Sequence, residues 1–101
     1  MSLWQRTASE LSALLERKEA SAREVLQAHL DRIDAVDARV KAFAEVLRER
    51  ALADADASDA RRKSGQTRGP LEGVPVSIKE CFDVEGRATT LGIPAWRDRI
   101  A

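Results

Sequence analysis

A short apolar alternation constrains the fold most, because the rest of the sequence predicts helices and loops. In LEGVPVSIKE, residues 71–80, the side chains of Val74, Val76 and Ile78 alternate as they would on one face of a β-strand. A strand needs partners for its backbone N–H and C=O groups, and 74–79 is the only strand that the sequence clearly predicts. We therefore expect this strand to pair with further polypeptide or to stay poorly ordered.

The first two thirds of the chain carry clear helix-start signals. Thr7 is followed three positions later by Glu10, and Ser21 by Glu24, which are capping-box patterns. A narrow apolar stripe follows the first signal and runs out near Lys18, whereas the stripe after the second continues for about four turns. These patterns predict a short helix and then a long one.

A third helix is predicted from about 47 to 64, where the sequence is rich in alanine and charge and becomes basic at its end. Its charges are interpreted as a solvated face, with Asp59 placed four residues before Lys63, at ion-pair spacing. Gly65 is a natural C-cap. The preceding residues 40–46 are compatible with either an extended connector or helix.

The remaining residues favour loops around the strand. Helical periodicity is broken by glycines and prolines at Gly65, Gly69, Pro70, Gly73 and Pro75. Asp83–Gly86 predicts a turn, and Gly92 with Pro94 ends any regular element before the C-terminus.

Composition argues against several classes of function. Lysine and arginine total 17, aspartate and glutamate also total 17, and neither half of the chain is polarised, so no basic nucleic-acid face is expected. No apolar run approaches the ~18 residues of a membrane span. The single Cys81 excludes an internal disulfide and suits a reducing compartment, so a cytoplasmic protein is expected.

No cofactor or metal is expected either. The lone His29 lies on the apolar stripe of the second helix without a partner ligand, which favours a packed histidine. The glycines and threonines at 86–92 lack the spacing of a phosphate-binding loop.

Lys79 is the candidate functional residue. A lysine that is desolvated at the end of an apolar strand has a lowered pKa and can act as a base. The alternative is a strand-terminal lysine that extends into water, and composition and periodicity favour this second interpretation.

A resemblance changes that balance. The run GPLEGVPVSIKECFDVEGRATTLG, residues 69–92, resembles the first conserved block of the amidase signature family, in which a strand ends in the catalytic lysine. The helical sequence SAREVLQAHLDRI at 21–33 and the Ala-Phe pair at 42–43 also resemble that family's N-terminal region. The family includes bacterial amidases and the A subunit of tRNA-dependent amidotransferases.

The resemblance implies an α/β fold of which residues 1–101 form the N-terminal part of a single amidase domain. Residues 1–65 are then two to three helices, and 66–101 a loop, strand and loop that belong to a larger mixed sheet. It also implies a Ser, cis-Ser, Lys triad acting on a small-molecule amide, with Lys79 as the lysine. The two serines lie downstream in the family, so we expect a fragment that is inactive alone and whose 74–79 strand pairs with the remainder of the domain or with another chain.

Two positions depart from the family pattern. Glu80 stands where aspartate is common and Ile93 where many members have serine, which favours a general amidase over the amidotransferase subunit. Two other interpretations stay open. One is a non-catalytic helical interaction module or truncated remnant, and the other is a regulatory thiol at Cys81, activated by the neighbouring Lys79.

Overall fold

Three helices form the folded part of the chain. The computed structural model describes residues 1–101, with α1 at Ala8–Glu16, α2 at Ala22–Val40 and α3 at Arg48–Lys63. Short 3₁₀ turns lie at Leu3–Gln5 and Pro94–Trp96. The helices therefore agree with the prediction. Of residues 40–46, which the sequence left ambiguous, Val40 ends α2 and the rest belong to a non-helical connector at 41–47.

The helix ends form as the local signals predict. The Thr7 hydroxyl accepts a hydrogen bond from the Glu10 N–H, and the Glu10 carboxylate accepts one from the Thr7 N–H, completing the capping box of α1. The Ser21 hydroxyl accepts from the Glu24 N–H at the start of α2. Beyond α3, Gly65 has a φ of +74°, the left-handed conformation typical of a residue that follows a helix.

The core is small and lies where the three helices meet. Ten of 101 residues are buried, and eight of these are hydrophobic. These eight residues form one cluster: Leu11, Leu15, Ala20, Ala22, Val25, Leu26, Leu30 and Ala55. The radius of gyration is 15.1 Å, whereas a compact domain of this length has about 13 Å. Much of the apolar surface therefore lies outside the core.

The predicted strand at 74–79 is not seen in this chain. Its residues have no regular structure, and Val76 and Ile78 are 78% and 56% exposed. The only β-type pair is an isolated antiparallel bridge between Ala88 and Ile100. Because nothing in residues 1–101 offers a partner edge, the backbone groups of 74–79 cannot form a ladder. The structure is thus helical, and an α/β fold is implied only by resemblance.

The C-terminal residues form a loop that closes on itself. The Gly86 N–H donates to the Ala101 carbonyl at 2.9 Å, and the Ala101 N–H donates to the Arg87 carbonyl at 3.0 Å. The turn that opens this loop is closed by a bond from the Arg87 N–H to the Val84 carbonyl, one residue later than predicted. Arg87 also pairs with Glu45 of the connector, which ties the loop to the helical part.

Asp59, which lies at ion-pair spacing from Lys63 on a face interpreted as solvated, binds another helix. Its carboxylate accepts hydrogen bonds from the N–H groups of Ala22 at 2.7 Å and Arg23 at 3.2 Å. Together with Ser21, it satisfies the first free donors of α2, which otherwise have no partner within the helix. The face of α3 that carries Asp59 is therefore a contact surface and not a solvated one. None of the helices is long and apolar enough to span a membrane.

Candidate functional site

Lys79 lies in an exposed stretch of chain. Residues 76–79, which we call the lysine segment, are all exposed. The Lys79 carbonyl accepts a hydrogen bond from the Phe82 N–H at 3.1 Å, but the Lys79 side chain forms no ion pair. Ser77 is exposed in the same segment. The desolvation that the sequence suggested for Lys79 is therefore absent from this chain.

The chain just before the lysine segment is held tightly against the helices. The Ser12 hydroxyl of α1 donates to the Pro70 carbonyl at 2.5 Å. Gly73 adopts a φ of +88° and lies so close to α1, α2 and α3 that a Cβ atom there would meet carbons of Leu15 and Ala22 at 3.1 Å. Val74 packs against the hydrophobic core. Residues 70–74 thus dock on all three helices.

Glu72 is the centre of this docking. Its carboxylate accepts two hydrogen bonds from the Arg61 guanidinium, at 2.7 and 3.0 Å, and one from the Ser58 hydroxyl at 3.0 Å. The Arg68 N–H donates to the same carboxylate at 3.2 Å, and the Arg62 guanidinium donates to the Glu72 carbonyl at 3.0 Å. We call the Glu72 and Arg61 pair the clamp. It joins the lysine-bearing chain to α3.

The clamp lowers the pKa of Glu72. The hydrogen bonds from Arg61 lower the pKa of Glu72 to about 2, burial of the carboxyl opposes this, and the bonds from Ser58 and Arg68 add to the lowering. Hydrogen bonding to Glu72 in turn raises the pKa of Arg61. Both side chains are therefore fully charged across the physiological range, which favours a bidentate carboxylate–guanidinium bond.

Because of this lowered pKa, the stability of the chain is expected to depend on pH. A carboxyl whose folded-state pKa lies below its unfolded value of about 4.3 contributes stability above that value and loses it as pH falls. We expect the chain to lose part of its stability between about pH 5 and pH 2, measured as the urea midpoint. The Glu72→Gln variant should show a shallower decline over that range. An equal decline in both proteins would contradict this assignment.

The chain just after the lysine segment is held more loosely. The Thr90 hydroxyl donates to the Glu80 carboxylate, and the Thr89 hydroxyl donates to Asp83 at 2.6 Å. The Gly92 N–H donates to the Thr90 hydroxyl at 3.2 Å. The loop after Lys79 thus contains the threonines and glycine that the sequence placed there. The lysine segment is an open stretch between two held ends.

Other candidate residues have structural or solvent-exposed positions. His29 is half-buried, and its Nδ1 donates to the Val25 carbonyl at 2.7 Å, as expected of a packed histidine. Cys81 is a free, exposed thiol. No group of three or more potential ligand side chains is placed to hold a metal ion.

Sequence reasoning missed the clamp. Arg61 was interpreted as part of a solvated basic cluster, and Glu72 was not singled out. The available signal was a lone carboxylate between Leu71 and Gly73 in an otherwise apolar stretch, since an acid at such a position is usually paired.

Comparison with known proteins identifies the family. The family model described as amidase matches residues 24–101, which include the block at 69–92. This chain belongs to the amidase family. Among amidase relatives, it is 52% identical over 94 residues to the A subunit of the glutamyl-tRNA(Gln) amidotransferase of Salinispora arenicola, covering 90% of this chain and 19% of that protein. It is 42% identical over 99 residues to indoleacetamide hydrolase of Bradyrhizobium diazoefficiens, covering 98% of this chain and 19% of that protein.

These amidase relatives are much longer than the chain. It spans about a fifth of the length of both, and 17% of a third, the corresponding amidotransferase A subunit of Streptomyces avermitilis, to which it is 50% identical. Identity is higher to the two amidotransferase subunits than to the hydrolase. An amidotransferase subunit therefore stands as a candidate beside the general amidase that Glu80 and Ile93 suggested.

Proposed function

We propose that this chain is part of an amide-hydrolysing enzyme, in which Lys79 is the base of a Ser, cis-Ser, Lys triad. The observation that carries the proposal is the amidase match over residues 24–101, which includes the lysine block. The exposed lysine segment between two held ends supports it, because an open segment of this kind can be covered by further polypeptide that brings the serines. The chain alone is then inactive.

The proposed chemistry needs Lys79 to be neutral. Covering the lysine segment removes water from the ammonium group and favours its uncharged form. The neutral amine takes a proton from the serine on the cis peptide, and this serine takes one from the nucleophilic serine. The nucleophile then attacks the amide carbonyl. A small-molecule amide is the substrate. The proton passes back to the departing amine as its C–N bond breaks, and water then hydrolyses the resulting serine ester to release the acid and regenerate the serine.

Comparison of the 101-residue chain with the full gene product tests this proposal. We expect the full product to hydrolyse at least one amide from a panel that includes indoleacetamide, and the 101-residue chain to hydrolyse none above the uncatalysed rate. Circular dichroism provides the control that the short chain is helical. Turnover by the short chain at the rate of the full product, or no hydrolysis by the full product, would contradict the proposal.

The higher identity to amidotransferase subunits supports a second candidate. In it, the full product joins other subunits and transfers an amide nitrogen to the glutamyl group of glutamyl-tRNA(Gln). Amidation of glutamyl-tRNA(Gln) only in the presence of co-purified subunits would favour this candidate, whereas hydrolysis of indoleacetamide by the full product alone would favour the hydrolase.

A further inference from the structure

We propose that Glu72 and Arg61, the clamp, are positioning residues that set where Lys79 lies in the active site. This inference rests on the proposed role of Lys79. The two clamp residues do not act on the substrate. They hold the backbone that carries Lys79.

The clamp differs from every other ion pair of the chain. Its Glu72 side chain is 7% exposed and its Arg61 side chain 24%, whereas both partners of each other pair are 35% to 60% exposed. Exposed pairs contribute little, because water and salt screen them. A nearly buried carboxylate with a bidentate partner has a defined geometry, since each oxygen is directed at a particular N–H group.

The lysine segment has no such contacts of its own. Ser77 and Lys79 form no side-chain hydrogen bonds, and Val76 and Ile78 are exposed. The position of the lysine segment is therefore set by the residues at its two ends. Val74 and Lys79 are five residues apart, at most about 17 Å of extended chain, so movement at the entry is transmitted to the lysine.

The entry is attached to a rigid element. Arg61 and Ser58 lie on α3, which in turn packs against α2 and caps it through Asp59. The clamp thus fixes the lysine-bearing chain relative to the helical core. Displacement of a reacting group by about 1 Å is sufficient to lower a catalytic rate by about 10²-fold.

Variants of the full gene product test the clamp. Glu72→Gln keeps the size of the side chain but removes its charge, and Arg61→Lys keeps the charge but removes the bidentate fork. Asp56→Asn is the matched control, because it disrupts the Arg23–Asp56 pair, which joins α2 to α3 away from the lysine segment. We expect both clamp variants to lower kcat about tenfold with KM within about twofold, and the control to change neither. Rates are compared below the unfolding transition of each protein.

Hydrogen exchange supplies a readout that does not depend on activity. The amides of residues 76–80 are expected to exchange faster in both clamp variants than in the parent and in Asp56→Asn. If Glu72→Gln does not fold, Arg61→Lys still gives both measurements. Unchanged kcat in the folded clamp variants, or a lower kcat without faster exchange at 76–80, would overturn the inference.

The Lys79→Ala variant separates the inference from the function on which it rests. If Lys79→Ala loses turnover while the clamp variants keep theirs, only the positioning role fails. If Lys79→Ala retains turnover, the proposed function fails and the positioning role fails with it.

Discussion

Replacement of Lys79 by alanine in the full gene product is expected to lower kcat for amide hydrolysis by about 10²–10⁴-fold, the usual contribution of a general base. The substitution removes the amine that accepts the serine proton, and no other group in the lysine segment can accept it, because its other residues are Val76, Ser77 and Ile78. Steady-state kinetics with a saturating amide measure the effect. KM is expected to change little, since the lysine acts on protons and not on substrate binding.

Two controls accompany this measurement. Lys63→Ala removes another exposed lysine, in the last turn of α3, and is expected to leave kcat unchanged. Lys79→Met keeps the length of the side chain without the amine and is expected to be as inactive as the alanine variant. Stability of the short chain should change by no more than about 0.5 kcal/mol in Lys79→Ala, because the side chain is exposed. Turnover of Lys79→Met near that of the parent would exclude Lys79 as the base.

Replacement of Gly73 by alanine is expected to destabilise the 101-residue chain by about 2–5 kcal/mol, through two effects that add. A left-handed backbone costs a residue with a Cβ atom about 1–2 kcal/mol, and overpacking costs about 1–3 kcal/mol. Gly73 has a φ of +88°, and an added Cβ would lie 3.1 Å from Leu15, whose side chain is fully buried, and 3.1 Å from Ala22. At about 4–8 °C per kcal/mol for a chain of this size, we expect the thermal midpoint to fall by roughly 10–40 °C.

Gly65→Ala is the matched control for the packing effect. Gly65 also has a left-handed φ, of +74°, but nothing lies within 4 Å of an added Cβ. This variant is expected to lose only the backbone cost of about 1–2 kcal/mol, without the overpacking cost. The difference between the two variants measures the close approach of residue 73 to the helices. Equal losses would show that the contacts at Gly73 relax without cost.

The helices could be predicted because their signals are local. Thr7 with Glu10 and Ser21 with Glu24 place the starts of α1 and α2, and each pattern spans only four residues. Gly65 marks the end of α3 for the same reason. Such signals depend on neighbouring residues alone and are therefore readable in sequence.

Whether 74–79 forms a strand could not be decided from local sequence, because a strand depends on residues far away. The alternation at 74–79 reports which side chains suit a half-buried surface, but a ladder needs a partner edge. The segment therefore remains irregular in a chain that spans about a fifth of its relatives.

The clamp and the Asp59 cap were missed for a related reason. Charge spacing along α3 suggested an ion pair between Asp59 and Lys63, but Asp59 binds the N–H groups of Ala22 and Arg23. Arg61 likewise binds a carboxylate eleven residues later. Spacing within a helix shows which residues are neighbours on its surface, but it does not show what packs against that surface.

The Asp59 cap also affects how this chain folds. The start of α2 is completed by a side chain 37 residues further along, so the first turn of α2 gains these two bonds only after α3 has docked. The two helices should consequently open together in native-state exchange, as one cooperative unit. During synthesis, α2 leaves the ribosome before Asp59 does, and its first turn frays until the later helix arrives.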